Sequence, residues 1–112
     1  RCLAWDATCP NTFAQSYVHA SSTLAGSAAS AAELSKNTKY SDIIAGVDFV
    51  PFVIETSGVW GEQAVILVKE IGRRIAEVTH EPRSTSFLRQ RLWVAVQRGN
   101  AFCILAFWVL CV

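Results

Sequence analysis

The chain has 112 residues, of which 52% are apolar and 17% are charged, and its formal net charge is +1. This composition excludes an intrinsically disordered chain and allows one small domain with a core of modest size. The charge is unevenly divided, because residues 57–112 carry seven bases against four acids, and six of those bases are arginines.

The first predicted elements lie close to the start of the chain. Residues 2–8, "CLAWDAT", predict a short strand whose alternation places Asp6 and Thr8 on one face. Thr12 and Gln15 have the spacing of a capping box, so we expect a helix to begin one residue after the threonine.

A long helix and a second strand follow. Residues 27–44 predict the helix, which Gly46 would close. Residues 48–56 are nearly all apolar, as in a strand that is covered on both faces. Pro51 cannot donate a ladder hydrogen bond, so this strand is expected to lie at an edge or to contain a bulge.

The second half of the chain predicts two more helices. A stripe with alternating spacings of three and four predicts a helix over 61–79: Ala64, Val68, Ile71, Ile75 and Val78. After Pro82, Ser84 can cap a last helix over 84–100, with this inner stripe: Leu88, Leu92, Ala95 and Gly99. We therefore expect an α/β fold in which two short adjacent strands pack against three to four helices.

The C-terminal segment differs in composition from the rest of the chain. Residues 101–112 are uncharged and apolar, but a helix that spans a bilayer needs about 20 such residues. The segment could continue the last helix into the core, anchor weakly to a membrane or represent read-through. We assign 1–101 to the domain and 102–112 to an apolar tail, and we expect no stable membrane insertion.

The cysteines and the first residue bear on the origin of the chain. The chain has four cysteines: Cys2, Cys9, Cys103 and Cys111. They form no C-x-x-C pair and have no histidine nearby in sequence, so a zinc site is not expected. Their apolar neighbours predict small buried thiols in a reducing, intracellular compartment. Because the sequence starts at Arg1 and contains no methionine, we expect it to be a fragment or a processed product.

Four stretches carry a family resemblance: "WDATCPNTFA", "AAELSKNTKY", "FVPFVIETSGVWG" and "FLRQRLWVAVQRGNA". In this order they resemble the restriction-like endonuclease domain at the C-terminal end of some non-LTR retrotransposon polyproteins, a divergent branch of the PD-(D/E)XK nucleases. The resemblance touches most of residues 3–101. It implies a partial restriction-endonuclease-like fold, in the nucleus or cytoplasm of a eukaryotic host. It also implies that a strand with a Pro-Asp element would lie before Arg1.

The resemblance implies that Asp6 is a ligand of Mg²⁺ and that DNA is the partner. Phosphodiester cleavage of this class needs carboxylates on a divalent metal and a cation near the attacked phosphate. Thr8 stands where the family pattern often has a lysine, which Lys36 or Lys39 from the next helix would replace. Of the two, we expect Lys36 to be the catalytic lysine, because it lies nearer the middle of its helix and Lys39 lies closer to the fraying end. Both lysines can lie on one flank with Tyr40. Alternatively, the aspartate caps a turn and the lysines form a solvated helix face.

Two further assignments stay open. Glu55 resembles a second carboxylate, but the end of a strand is also an ordinary place for a helix-capping or turn residue. Five arginines could bind a nucleic-acid backbone or merely solubilise two amphipathic helices: Arg73, Arg74, Arg89, Arg91 and Arg98.

The resemblance implies a fragment of a retroelement-encoded endonuclease-like domain that nicks target DNA for target-primed reverse transcription. One alternative is a catalytically inactive structural or nucleic-acid-binding remnant of a decayed retroelement. Another is a small membrane-associated protein held by residues 101–112. With Asp6 as its one assigned ligand, the isolated chain is expected to bind Mg²⁺ weakly or not at all and to be inactive. The sequence leaves the oligomeric state open.

Overall fold

The two strands of the chain lie side by side in parallel. The computed structural model describes residues 2–42 and 45–111, with side chains described as far as residue 106. The elements are, in chain order, β1 (Leu3–Thr8), α1 (Val18–Ser21), α2 (Ser27–Tyr40), β2 (Asp48–Val53), α3 (Glu62–Thr79) and α4 (Ser84–Cys111). β1 and β2 form a two-stranded sheet in which Leu3 lies opposite Asp48. The predicted α/β fold class is confirmed.

Pro51 lies on the outer edge of β2. The N–H groups of Asp48 and Ile54 donate to the carbonyls of Cys2 and Thr8 at 2.9 and 3.2 Å. Because successive N–H groups of a strand point to opposite sides, the nitrogen of Pro51 faces away from β1 and no ladder bond is lost. The pairing runs through without a bulge, so the prediction of an edge strand is confirmed within the described residues.

Helix α2 covers one face of the sheet through small side chains. Ala28, Ala29 and Ala32 are buried together with Val53 of β2. Because each alanine ends in a single methyl group, the helix backbone can lie close to the strand. This contact forms the centre of the core.

The faces of β1 are unequally covered. The expected alternation is present, and Asp6 lies on the half-buried face beneath α2. On the opposite face, Leu3 and Trp5 are 50% and 62% exposed. The aspartate therefore lies on the more buried face, although its neighbours on the other face are the more apolar residues.

Helices α3 and α4 pack closely at Gly72. A methyl group added there would lie 2.2 Å from Oγ1 and 2.7 Å from Cα of Thr85, so the close approach depends on glycine. Ala64 and Val68 of the predicted α3 stripe are buried. Contrary to the prediction, the C-terminal part of that stripe is exposed: Ile71, Ile75 and Val78. The reason is that this half of α3 meets α4 through Gly72.

Helix α4 is longer and more exposed than predicted. It runs through Ser84–Cys111 without a break at the start of the expected tail, because no proline interrupts this segment. Its predicted inner stripe is half-buried at Leu88 and Leu92 but exposed at Ala95 and Gly99. None of the described helices is both long and apolar enough to cross a membrane.

Three other predicted boundaries differ. No helix begins directly after Thr12, because its hydroxyl donates to Glu55 at 2.8 Å and accepts the N–H of Ser57 at 3.4 Å, and it accepts none from a helical turn that follows it. Helix α2 ends at Tyr40, whereas its predicted end was residue 44. Residues 43 and 44 of the predicted helix lie outside the described residues. Strand β2 ends at Val53, because the chain then turns back on itself.

The expectation of buried thiols is wrong for three cysteines. Cys2, Cys9 and Cys103 are free and exposed, since they lie on surfaces that the described elements leave uncovered. Cys111 lies beyond the described side chains.

Candidate functional site

Asp6 on β1 is bound by two side chains of α2. Lys36 Nζ donates to Asp6 Oδ2 at 2.6 Å, and the Tyr40 hydroxyl donates to the same oxygen at 3.0 Å. Helix geometry explains the convergence, since Ala28, Ala32, Lys36 and Tyr40 are spaced four residues apart on one stripe. The two alanines lie buried against the sheet, and the same stripe then brings the lysine and the tyrosine to the aspartate.

Asp6, Lys36 and Tyr40 together form what we call the polar cluster. Hydrogen bonds from Lys36 and then from Tyr40 lower the pKa of Asp6, and the carboxylate in turn raises the pKa of Lys36. The ring of Tyr40 packs on Phe49 with centroids 5.0 Å apart, which helps to fix its hydroxyl. The side chains of Lys36 and Asp6 remain 23% and 34% exposed, so an ion or a phosphate can reach them.

The other two residues assigned to the site lie outside the polar cluster. Lys39 Nζ lies 5.1 Å from the centroid of the Tyr40 ring and forms no ion pair with a described residue. Thr8 ends β1 on the same face as Asp6, and its hydroxyl forms no hydrogen bond with the described residues. The fold therefore brings Lys36 to the aspartate and leaves Lys39 apart, while the catalytic roles stay predictions.

The polar cluster contains one carboxylate. Within residues 2–42 and 45–106, no group of three or more His, Cys, Asp or Glu side chains could hold a metal ion. Mg²⁺ is usually held by one or two carboxylates together with phosphate oxygens and waters. Oδ2 of Asp6 already accepts two hydrogen bonds. The described residues alone therefore do not form a complete Mg²⁺ site.

Two buried carboxylates elsewhere in the fold cap helices. Glu55, 1% exposed, accepts the N–H of Ala29 in the first turn of α2 at 2.9 Å and the hydroxyl of Thr12 at 2.8 Å. Glu33, 8% exposed, accepts the N–H of Gln63 in the first turn of α3 at 2.9 Å. Of the two roles left open for Glu55, the contacts support helix capping.

The five arginines assigned to DNA binding fall into two groups. On α3, Arg73 pairs with Glu70 and Glu77, and Arg74 pairs with Glu70 at 2.7 Å. Hydrogen bonds from these arginines lower the pKa of Glu70 to about 2. The three on α4 pair with no carboxylate of the described residues: Arg89, Arg91 and Arg98. Since α4 contains no acidic residue, its positive charge is not balanced locally.

Two indoles lie beside these arginines, and no pattern in the sequence predicted this arrangement. Trp60 and Trp93 line a cleft of about 460 Å³ together with Arg89, Gln90 and Val94, which we call the indole cleft. The guanidinium of Arg89 lies 5.8 Å from the centroid of the Trp60 ring. The signal that could have indicated it is a tryptophan among arginines on an acid-free helix, "RQRLWVAVQR".

Known proteins offer no closer guide to this site. Comparison of the chain with protein-family models, with curated proteins and with solved structures finds no match.

Proposed function

We propose that this chain forms part of a retroelement-encoded, endonuclease-like domain that nicks target DNA for target-primed reverse transcription. The contact between Asp6 and Lys36 carries the proposal. The nucleases that the chain resembles combine a metal-binding carboxylate with a lysine near the attacked phosphate. Here the two groups lie 2.6 Å apart, and the lysine comes from the helix after the strand, while Thr8 occupies the position usual for lysine.

Each member of the polar cluster has a role that its chemistry allows. Asp6 would bind the divalent cation that such nucleases use. Lys36, whose pKa is raised by the carboxylate, stays protonated at neutral pH and would stabilise charge on the attacked phosphate. Tyr40 would orient the carboxylate through its hydrogen bond.

The proposal requires a second carboxylate. In the family, this group lies on a strand with a Pro-Asp element next to the aspartate strand. Among the described residues, β1 has a partner on one edge and none on the other, so a further strand can pair there. We propose that such a strand completes the site in a longer protein.

A nucleic-acid-binding remnant without catalysis is the second candidate. The single carboxylate of the polar cluster favours it, because the contact of Lys36 with Asp6 also serves as a link between α2 and β1. The α4 arginines would then bind a polynucleotide with no chemistry nearby.

A plasmid-nicking assay addresses the catalytic part of the proposal. The 112-residue chain should bind Mg²⁺ no more tightly than about millimolar and leave supercoiled DNA intact, because one carboxylate does not hold this ion firmly. Robust Mg²⁺-dependent nicking by this chain would place the active site elsewhere.

The DNA upstream of the coding sequence addresses the retroelement origin. We expect an open reverse-transcriptase reading frame that encodes a strand with Pro-Asp and continues into Arg1. A start codon with its own promoter at this place would contradict the proposal. Restoring the upstream strand and repeating the nicking assay would then separate an active domain from a remnant.

A further inference from the structure

The hairpin formed by residues 54–60 meets α4 beside the unpaired arginines. Asn100 Nδ2 donates to the Thr56 carbonyl at 2.7 Å, which ties the hairpin to the helix. At Gly58, where φ is +94°, an added methyl group would lie 2.9 Å from Trp93 Nε1. One edge of the Trp93 indole therefore lies against the hairpin backbone, while 49% of the residue remains exposed.

Trp60 forms the other wall of the indole cleft. Its ring meets Phe52 edge to face with centroids 6.0 Å apart, and it pairs with Ile54 across the hairpin. The guanidinium of Arg89 lies over the same ring. The cleft measures about 460 Å³, and both of its indoles already contact neighbouring groups: Trp60 contacts Phe52, and Trp93 lies against Gly58.

A second groove continues the indole cleft along α4. It measures about 650 Å³, shares Gln90 and Val94 with the cleft, and is also lined by Arg91 and Arg98. These two arginines are seven residues apart, so they lie on one face of the helix at a spacing of about 10 Å. Because α4 carries no acid, a polyanion is the partner whose charge complements this surface.

We propose that the indole cleft and this arginine groove bind single-stranded nucleic acid. An unpaired base would stack on Trp93, and backbone phosphates would contact Arg91 and Arg98. A duplex is a poorer fit, because its bases already stack on one another and present no free face to an indole. The inference rests on the proposed function, since a nicking domain acts on nucleic acid. It adds that the bound form is single-stranded and that the indole cleft and the arginine groove bind it.

Binding measured by fluorescence anisotropy tests the inference with the full chain. The probes are a labelled thymidine oligonucleotide of twelve nucleotides and a duplex of the same length. The single strand should bind about tenfold or more tightly than the duplex. Trp93→Ala should weaken single-strand binding about tenfold or more, whereas Trp93→Phe, which keeps an aromatic face, should retain most of it.

The salt dependence of binding tests the role of Arg91 and Arg98 separately from that of Trp93. Replacing Arg91 and Arg98 by glutamine should reduce the slope of log K against log salt concentration by about 0.7 for each. Both side chains are exposed, so these variants keep the inference testable if Trp93→Ala fails to fold. Circular dichroism of each variant checks folding.

Two matched controls come from the same chain. Phe13 is 74% exposed, Lys69 is exposed on α3, and neither lines the indole cleft or the arginine groove. Phe13→Ala and Lys69→Gln should each change single-strand affinity by no more than about twofold, as is usual for surface changes outside a site.

The outcomes separate the inference from the proposed function. Unchanged affinity of folded Trp93→Ala, or equal affinity for single strand and duplex, would overturn the inference and leave nicking to its own assay. Tighter binding of polyglutamate than of the oligonucleotide would assign the surface to an acidic protein and would also overturn it. Failure to bind either form of DNA would contradict both the inference and the proposed function.

Discussion

Glu55 Oε1 accepts the backbone N–H of Ala29 at 2.9 Å and thereby joins the chain just after β2 to the first turn of α2. Helix α2 in turn carries Glu33, which accepts the N–H of Gln63 at the start of α3. Each carboxylate lies at the positive end of the helix that it caps. These two links hold α2, β2 and α3 together without a residue of the polar cluster, so each can be removed while the polar cluster is left unchanged.

Glu55→Ala should lower the free energy of unfolding by about 1–3 kcal/mol, because it leaves the buried N–H of Ala29 without a partner. The N-cap residue of α2, Gly26, provides no side-chain hydrogen bond that could take over. Glu55→Gln keeps an oxygen acceptor and should lose less. Urea denaturation measures both, and wild-type stability of the alanine variant would contradict the capping role.

The stability of the protein should respond to pH with two opposite slopes. Burial raises the pKa of Glu33 in the folded state above its ordinary value of 4.5. Between 4.5 and that raised pKa, the folded state binds more protons than the unfolded state, so the free energy of unfolding should increase as the pH falls. Lys36 and then Tyr40 lower the pKa of Asp6 below 3.8, so its stabilising effect should disappear as the pH falls through that lowered value. Urea midpoints measured across the acid range would show a maximum.

Glu33→Gln is the matched variant for the increase in stability at mildly acidic pH, which we call the upper slope. The amide keeps an acceptor for the N–H of Gln63 but does not titrate, so the increase in stability on mild acidification should disappear. The decrease at lower pH should remain, because Asp6 is unchanged. An upper slope identical to that of the wild type would assign it to another group.

Two helical glycines should respond to alanine with opposite signs. Gly72→Ala should reduce the free energy of unfolding by about 1–3 kcal/mol, because the new methyl group would collide with the backbone of Thr85. At Gly99 no atom of the described residues lies within 4 Å of the new atom, so alanine should add about 0.5–1 kcal/mol through its helix propensity. Thermal unfolding of the two variants checks this. A raised melting temperature for both variants would show that the α3–α4 contact at Gly72 is looser than described.

In the longer protein that supplies the strand beside β1, Asp6→Asn should remove nearly all nicking, since it deletes the charge while preserving shape. Lys36→Ala should slow cleavage about 10²-fold or more, as for the loss of one preorganised electrostatic group. Lys39→Ala should mainly weaken DNA binding and flatten its salt dependence. Single-turnover nicking and salt titrations measure the two effects.

Two results would change this assignment. An unchanged rate in Asp6→Asn would show that the carboxylate is structural and that the nuclease proposal fails. If the aspartate proved essential while Lys36 and Lys39 were both dispensable, the metal-binding role would stand and the displaced-lysine role would be wrong.

The sequence predicted elements whose signals are local. Helix α3 begins one residue after its predicted start and ends where predicted, because apolar periodicity and the break at Pro82 both lie within the segment. Helical spacing also placed Lys36 and Tyr40 on one flank. The expectation that Lys36 rather than Lys39 serves the site came from its place nearer the middle of the helix. Which lysine reaches Asp6 depends on the stripe of α2 that packs on the sheet, and Ala32 and its neighbours decide this through tertiary contacts.

Features that depend on distant residues were not predictable from local patterns. Thr12 has the spacing of a capping box with Gln15, but Glu55 and Ser57, far along the chain, bind its hydroxyl instead. The indole cleft likewise joins Trp60 to Trp93 from separate elements. Each of these sites is created by packing, which overrides the local signal.

Parallel pairing of Leu3 with Asp48 means that β1 leaves the ribosome long before its partner strand exists. Helices α3 and α4 are joined by a short turn, so their contacts are local and should form quickly, whereas closing the sheet must overcome the entropy of the whole intervening chain. Until that step, the backbone edge of β1 that pairs with β2 has open hydrogen-bonding groups. Holdase chaperones would therefore be most useful in the interval between synthesis of β1 and synthesis of β2.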